Sequence, residues 1–240
     1  PDRDFEVVCE LDGRPSDVVV IPHRRGDDGY LLVQLMPPSA EGNWQREILP
    51  DGTPLQLVLL CDTSASMDSE KRKRQAEFVA AVLSSLGEKD RFLLAATDTA
   101  TAWMNTEPLE ATAARIAEAR DFLDRRVSLG WTDLDQATQA VLARAPAGAQ
   151  VVYIGDGMVT AGDRKPASFV KRFAKRLADH RAAHADEAPA SFHTVAVGNT
   201  YEAVVLRGIA DMGGGSSRAI TGERTPQEIA LEWLNELAQP

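Results

Sequence analysis

The chain has 240 residues, of which 44% are hydrophobic and 26% are charged. This length and composition fit one α/β domain with a modest appendage, and they exclude fibrous, low-complexity and largely disordered proteins. The net charge of −10 disfavours binding to a nucleic-acid backbone. No apolar run approaches the roughly 20 residues of a membrane span. We therefore expect no nucleic-acid partner and no direct membrane insertion of this segment.

The first fifty residues predict a β-rich segment. Short apolar or alternating runs at 5–10, 17–21 and 30–36 are separated by turn formers, and residues 37–43 have the composition of a linker. We expect a β-rich N-terminal segment with its linker over residues 1–53 and a second unit over residues 54–240. Cys9 and Cys61 lack CxxC spacing and are interpreted as small buried hydrophobic residues, although a disulfide between them stays open.

From residue 55 onward, apolar strand-like runs alternate with helical periodicities. Strands are predicted at 55–61, 91–97, 99–104, 150–154, 192–197 and 218–220. Helices are predicted at 68–86, from Pro108 onward, and at 134–145, 167–183, 201–212 and 226–238. This alternation predicts an α/β fold with a Rossmann-like, doubly wound, mostly parallel central sheet flanked by helices on both faces.

Oxygen-bearing side chains follow the carboxyl ends of the predicted strands, which is where ligands bind in doubly wound sheets. Asp62, Ser64 and Ser66 follow the first apolar strand, and Asp156 follows another. Thr132 lies in a loop just before a helix. Because carboxylate and hydroxyl oxygens suit hard cations such as Mg²⁺, the pattern predicts a divalent-cation site.

This arrangement resembles the metal-ion-dependent adhesion site (MIDAS) of the von Willebrand factor type A (VWA) family. That site has a DxSxS motif, a distant Thr and a distant Asp, and this chain has the same residues in the same order. The resemblance covers residue 55 to the C-terminus. It implies that Mg²⁺, with Mn²⁺ or Ca²⁺ as alternatives, binds to Asp62, Ser64, Ser66, Thr132 and Asp156.

Two positions depart from the family pattern. Ala65 stands where the family usually has Gly between the two serines, and Gly155 stands where it usually has Thr or Ser before the second Asp. Neither change removes a ligand. Gly155 does remove a hydroxyl that would support the ligands, so we expect the affinity for the ion to differ from that of other members.

The N-terminal strands and the break at Pro37 and Pro38 resemble the segment that joins the β-domain of inter-α-trypsin inhibitor heavy-chain-like proteins to their VWA domain. The resemblance implies that residues 1–53 are the tail of a larger upstream module. The segment carries no targeting signal of its own, and the family favours an extracytoplasmic or cell-surface location.

In the VWA family, an Asp or Glu carboxylate of a partner protein fills the open position of the ion. The resemblance therefore implies a non-enzymatic, divalent-cation-dependent domain for adhesion or protein interaction. An interaction scaffold with a structural or vestigial metal site is one alternative. A metal-assisted hydrolase is another, although no positioned general acid or base is evident from the sequence.

Simpler explanations exist for several of these residues. Asp62, Ser64 and Ser66 would cap the following helix, and Asp156 would close a turn. His180 and His184 have the spacing of a helical zinc pair but lack a third ligand. The basic residues at 71–74 and 164–176 are either solvated helix faces or a rim that steers an acidic partner.

Overall fold

A computed structural model describes residues 18–25, 28–35, 54–128 and 130–237 of the chain. In its N-terminal part, β1 (Val18–Arg25) and β2 (Asp28–Leu35) form an antiparallel hairpin. The two strands predicted at 17–21 and 30–36 are therefore present, and pairing with β2 extends the first one to Arg25. The strand predicted at 5–10, the linker at 37–43 and Cys9 lie outside the described residues.

The C-terminal part is a separate α/β unit. Its strands are β3 (Gln56–Asp62), β4 (Arg91–Thr97), β5 (Thr101–Trp103), β6 (Gln150–Gly155), β7 (Ser191–Val197) and β8 (Gly214–Ile220). Its helices are α1 (Ser69–Ser84), α2 (Ala113–Asp124), α3 (Leu134–Leu142), α4 (Pro166–Ala183), α5 (Ala203–Gly213) and α6 (Pro226–Leu237).

The six strands form one sheet in the order β5-β4-β3-β6-β7-β8. Neighbouring strands are parallel except for β5, which runs antiparallel to β4. β4 pairs with one edge of β3, and β6, which comes later in the chain, pairs with the other edge. This reversal of strand order opens a crevice at the carboxyl ends of β3 and β6, the usual ligand position in such sheets.

Helices cover both faces of the sheet because successive side chains of each strand point to opposite sides. In β3, Leu57 and Leu59 enter one buried core with side chains of α1, α2 and α6. Val58 and Leu60 enter the other core with side chains of α3, α4 and α5. Each fully buried side chain of this size contributes about 1.5–3 kcal/mol to folding. The expected doubly wound, mostly parallel α/β fold is confirmed.

Local capping determines where several helices begin. At α6, the Glu228 backbone N–H donates to Thr225 Oγ1 at 3.2 Å, and the Thr225 N–H donates back to Glu228 Oε2 at 2.8 Å. This reciprocal pair is a capping box, and it fixes the start of the helix at Pro226 as the sequence predicts. In the described part of the chain, no helix combines the length and apolar character needed to cross a bilayer.

The prediction that Pro108 opens a helix is wrong. Leu109 instead makes an isolated antiparallel bridge to Phe92 on β4, with backbone hydrogen bonds of 2.9 and 3.0 Å. This bridge keeps the chain extended, and α2 begins only after Thr112, whose side chain accepts from the Arg115 N–H. The helix predicted at 134–145 is also shorter than expected, because α3 ends at Leu142.

The last strand, β8, is longer than the predicted 218–220. Gly214 ends α5 in the left-handed conformation with φ +76°, and β8 starts at the same residue. The first four residues of β8 are Gly and Ser, which carry no alternating apolar pattern. The strand forms because β7 offers a free edge, so the sequence pattern alone did not reveal it.

Candidate metal centre

Three loops meet at the crevice between the ends of β3 and β6. The Ala65 N–H, after β3, donates to the Gly130 carbonyl at 2.9 Å. The Thr132 N–H donates to Thr160 Oγ1 at 2.7 Å, which ties the loop before α3 to the loop after β6. These bonds bring the segments with the predicted ligands together even though the ligands are far apart in sequence.

A buried glutamine ties the same strand ends to α1. Gln75 Nε2 donates to the Asp62 carbonyl at 3.0 Å and to the Ile154 carbonyl at 2.6 Å. The side chain is almost fully buried. Sequence reasoning missed Gln75, although a polar residue on the apolar face of a helix is a detectable signal. Gln75 fixes the spacing of the two strands that carry the acidic residues.

Asp62 is fully buried and held by two donors. Its Oδ1 accepts from the Ser64 N–H at 2.9 Å, and its Oδ2 accepts from the Tyr153 hydroxyl at 2.6 Å. Burial raises the pKa of Asp62 from 3.8 to about 6; hydrogen bonds from Tyr153 and Ser64 oppose the rise, and the charge of Asp156 adds to it. Two buried carboxylates thus repel each other at this site.

The three predicted hydroxyl ligands differ in their hydrogen bonding. Ser64 Oγ and Ser66 Oγ lie 3.0 Å apart and hydrogen-bond to each other. Thr132 Oγ1 is buried and has no hydrogen-bond partner. An unpaired buried hydroxyl costs about 1–3 kcal/mol, so a protein retains one where something else supplies the missing interaction.

Asp156 is the second buried carboxylate, and its two oxygens have different partners. Its Oδ1 accepts from the Met158 N–H at 3.1 Å, and its Oδ2 pairs with Lys71 Nζ at 3.2 Å. The Asp156 carbonyl accepts from the Glu202 N–H at 2.7 Å, which anchors the loop before α5. The turn-closing bond expected for Asp156 is therefore present, but it uses only one carboxylate oxygen.

Gly155 leaves room for a tyrosine. A Cβ atom at this position would lie 2.5 Å from Asp62 Cβ and 2.6 Å from the Tyr153 hydroxyl oxygen. Tyr153 takes this space and supplies a hydroxyl to Asp62. The Tyr153 hydroxyl thus replaces the supporting hydroxyl that a Thr or Ser at position 155 would have supplied. Burial is also the main reason why the pKa of Tyr153 is well above its usual value, so the hydroxyl stays a donor.

The helix-capping alternative for the DxSxS segment is wrong. The N-cap of α1 is Asp68, whose Oδ1 accepts from the Lys71 N–H at 2.9 Å. The carboxylate of Asp62 and the hydroxyls of Ser64 and Ser66 are thus not needed to cap the helix. Ser64 Oγ and Ser66 Oγ hydrogen-bond to each other instead, and Asp62 accepts from the Ser64 N–H and the Tyr153 hydroxyl.

The donor set at the crevice fits a hard divalent cation. It contains two carboxylates that repel each other, two serine hydroxyls and one buried hydroxyl without a partner. The described residues contain no group of three or more His, Cys, Asp or Glu side chains suited to a metal, so His180 and His184 have no third ligand there.

Three of the basic residues after the acidic loops make contacts between helices. Arg172 and Arg176 both pair with Asp135 of α3, at 2.6 and 2.9 Å. Arg72 donates to the Leu123 carbonyl near the end of α2 at 2.9 Å. These side chains join neighbouring helices and do not form freely solvated faces.

Two basic side chains lie at the metal centre or beside it. Lys71 reaches Asp156. Arg164 lies over the indole of Trp131, 5.8 Å from the ring centroid, and Trp131 is 61% exposed next to Thr132. An exposed indole with a guanidinium over it thus lies one residue from Thr132 in the chain.

The fold and this site define a Rossmann-like α/β domain with a candidate cation site at the switch point of its sheet. The family model of the von Willebrand factor type A domain matches residues 55–219. The match covers more than half of the chain, so the chain belongs to the VWA family, as the sequence resemblance implied. Domains of this family commonly mediate protein–protein interactions.

Relatives agree with this assignment. Inter-alpha-trypsin inhibitor heavy chain H6 of Homo sapiens is 26% identical over 194 residues, which are 75% of this chain but only 14% of that protein. The chain thus spans a small part of its curated relative. A von Willebrand factor type A structure from Catenulispora acidiphila has a TM-score of 0.59 at 20% identity, covering 78% of this chain and 42% of that one.

A further solved structure concerns the site itself. Proximal thread matrix protein 1 from the mussel byssus, solved with a zinc-occupied MIDAS motif, has a TM-score of 0.54 at 10% identity. The alignment covers 79% of this chain and 46% of the mussel protein. At this identity the likeness shows a shared fold only.

Proposed function

We propose that this chain is a divalent-cation-dependent protein-binding domain that takes an Asp or Glu side chain of a partner protein as a ligand of its bound ion. Asp62, Ser64, Ser66, Thr132 and Asp156 hold the ion, which is Mg²⁺ or, as alternatives, Mn²⁺ or Ca²⁺. The zinc-occupied MIDAS of the mussel relative supports a divalent cation at this position of the fold.

The unpaired Thr132 hydroxyl is the observation that carries the proposal. Thr132 Oγ1 is buried and lacks a hydrogen-bond partner, although its own backbone N–H is well paired to Thr160. The neighbouring loops hold two buried carboxylates that raise each other's energy. A cation bound among these groups would satisfy the hydroxyl and remove the repulsion at the same time.

The neutral hydroxyls of this donor set leave the bound ion able to take an additional oxygen ligand. Two carboxylates balance a divalent charge, and hydroxyls are neutral donors. When bound, Mg²⁺ supplies an electrophilic centre that attracts a further oxygen ligand. An acidic side chain of a partner is such a ligand, and the basic and aromatic rim formed by Arg164 and Trp131 would steer and cover it.

We assign no catalytic role to the chain. The acidic groups of the site are engaged: Asp62 by Tyr153 and Ser64, and Asp156 by Lys71 and Met158. A hydrolase needs a group placed to move a proton at the substrate.

We also propose that the chain has two parts: a β-rich segment with its linker over residues 1–53 and a VWA domain over residues 54–240.

Peptide selection tests the function without a known partner. A random peptide library is selected on the full chain in Mg²⁺ and eluted with EDTA, with Thr132→Val as the matched control protein. We expect EDTA-eluted peptides enriched in Asp or Glu on the wild type and no such enrichment on Thr132→Val. Peptides that stay bound in EDTA, or that show no acidic residue in common, would support the scaffold alternative instead.

The hydrolase alternative is tested separately. Panels of phosphate and peptide esters are incubated with the Mg²⁺-loaded wild type and with Asp156→Ala. We expect no turnover above the Asp156→Ala background. Turnover that depends on Asp156 would overturn the non-enzymatic assignment.

A further inference from the structure

Lys71 is a partly buried cation that reaches the candidate metal centre. It lies in the first turn of α1, and its side chain is only 16% exposed. Its ammonium donates to the Ser66 carbonyl at 2.9 Å and to Asp156 Oδ2 at 3.2 Å. Both acceptors belong to residues that we propose as ion ligands.

The stem of Lys71 is held in place by the neighbouring loop. A Cβ atom at Gly198, just after β7, would lie 3.0 Å from Lys71 Cε and 3.3 Å from Lys71 Cγ. The aliphatic chain therefore packs directly on the bare backbone of Gly198. This contact and the two hydrogen bonds fix the ammonium at the site instead of leaving it in solvent.

The charge balance of the crevice explains why the ammonium is there. Asp62 and Asp156 are both fully buried, so two carboxylates lie in one crevice shielded from water. A cation at Asp156 lowers the repulsion between them when no metal is bound. Asp156 Oδ2 is then already engaged by one positive charge, and a divalent ion at the same carboxylate would face repulsion from the ammonium.

We propose that Lys71 is a tethered counter-ion that occupies Asp156 in the metal-free protein and must withdraw when the divalent cation binds. The inference rests on the proposed function and adds a residue that sets the affinity of the site. The metal-free fold is protected from two uncompensated carboxylates, and the ion binds more weakly than the donor set alone would allow. Lys71 acts on metal affinity as a positioning residue and is not itself a ligand.

Calorimetric titration of the chelator-stripped full chain with Mg²⁺ and Mn²⁺ tests the competition. We expect Lys71→Met and Lys71→Gln to bind about tenfold more tightly than the wild type. Lys73→Met removes the same charge from an exposed position on the same helix and is the matched control, with an unchanged Kd. Equal or weaker binding by both Lys71 variants would overturn the inference.

Thermal unfolding provides a second readout. We expect the Lys71 variants to unfold at a lower Tm than the wild type in EDTA and to gain more from added Mg²⁺. A variant that loses stability equally in EDTA and in Mg²⁺ would show that Lys71 is merely a packing residue.

Withdrawal of the ammonium is measured directly by acetylation of the wild type with an amine-reactive ester, followed by mass spectrometry. We expect Mg²⁺ to increase the labelling of Lys71 and to leave Lys73 unchanged, because Lys71 Nζ loses its partner at Asp156. Labelling of Lys71 that stays constant or falls in Mg²⁺ would contradict the proposal.

The outcomes separate this inference from the proposed function. If the wild type binds the ion and the Lys71 variants bind it no better, the inference alone fails. If neither the wild type nor any variant binds an ion, the proposed function fails and the inference falls with it. Binding by the Lys71 variants alone would support the inference and would count against the proposed function of the wild type.

Discussion

The Tyr153 hydroxyl donates a hydrogen bond of 2.6 Å to Asp62 Oδ2, joining β6 to the carboxyl end of β3 inside the candidate metal centre. The same hydroxyl accepts from the Gly157 N–H at 3.3 Å. Tyr153 thus connects the carboxylate of one loop to the backbone of another. This connection orients Asp62, as a supporting hydrogen bond does at many metal sites.

Removing this hydroxyl leaves a buried carboxylate short of a donor. We expect Tyr153→Phe to lower the free energy of unfolding by about 1–3 kcal/mol in EDTA, measured by urea denaturation. Tyr30→Phe, at an exposed position on β2, is the control and should be neutral. A Tyr153→Phe protein as stable as the wild type would show that the hydrogen bond does not hold Asp62.

Gly155 is expected to tolerate no side chain while Tyr153 is present. A Cβ atom there meets both Asp62 and Tyr153 within 2.6 Å. Overpacking of this kind costs about 1–3 kcal/mol, so Gly155→Ala should be clearly destabilised in thermal unfolding. Gly29→Ala, where a Cβ atom meets nothing within 4 Å, is the comparison. Equal Tm values for the two variants would count against the close approach.

The raised pKa of Asp62 makes metal-free stability depend on pH. Its pKa of about 6 lies above the ordinary 3.8, so the folded state holds the proton more tightly than the unfolded state does. The stabilising contribution of this proton is complete below about pH 4 and is lost as the pH rises through 6. Between pH 4 and pH 7 the loss is about 2 kcal/mol.

Denaturation of the wild type and Asp62→Asn in EDTA across this range isolates the effect. We expect the difference in unfolding free energy between the two proteins to change with pH, in favour of Asp62→Asn as the pH rises. A constant difference from pH 4 to pH 7 would contradict the assignment. Because protons and the ion compete for Asp62, Mg²⁺ binding should also weaken as the pH falls below 6.

The ion pairs of Asp135 are expected to be structural only. Partial burial tends to raise the pKa of Asp135. Hydrogen bonds from Arg172 and Arg176, together with their charges, outweigh burial and hold this pKa below its usual value. Because the pairs are partly exposed, Asp135→Asn should lower the free energy of unfolding by about 0.5–1 kcal/mol. This loss should be smaller at high salt than at low salt. Its Mg²⁺ affinity should equal that of the wild type. A large change in affinity would place these arginines at the site.

The fold could be predicted from the sequence because the central strands are short, mostly apolar and regularly separated by amphipathic helices. The convergence of the loops that carry the proposed ligands could be predicted for the same reason, since each loop follows such a strand or precedes a helix. Other features depend on tertiary contacts that no local pattern encodes. The β7 edge makes a strand of the Gly- and Ser-rich start of β8, and the Phe92 bridge keeps Leu109 extended.

The residues that hydrogen-bond to the proposed ligands were harder to predict than the loops that carry those ligands. In the sequence, Tyr153 resembles any other apolar residue of a buried strand. Its hydroxyl occupies the space beside Gly155, which has no side chain, and this contact is visible only in the structure. Lys71 belongs to a run of four basic residues, and the side chains of this run contact different parts of the fold. Lys71 reaches the site, whereas Arg72 contacts α2.

The most direct test of the central claim is calorimetric titration of Mg²⁺ into chelator-stripped wild type and Thr132→Val. Valine keeps the shape of the side chain and removes only the unpaired hydroxyl. We expect one-site binding by the wild type and at least about tenfold weaker binding by Thr132→Val, which should be as stable as the wild type or more stable in EDTA. Equal Mg²⁺ affinity of the two proteins would contradict the claim that Thr132 Oγ1 is kept unpaired for the ion.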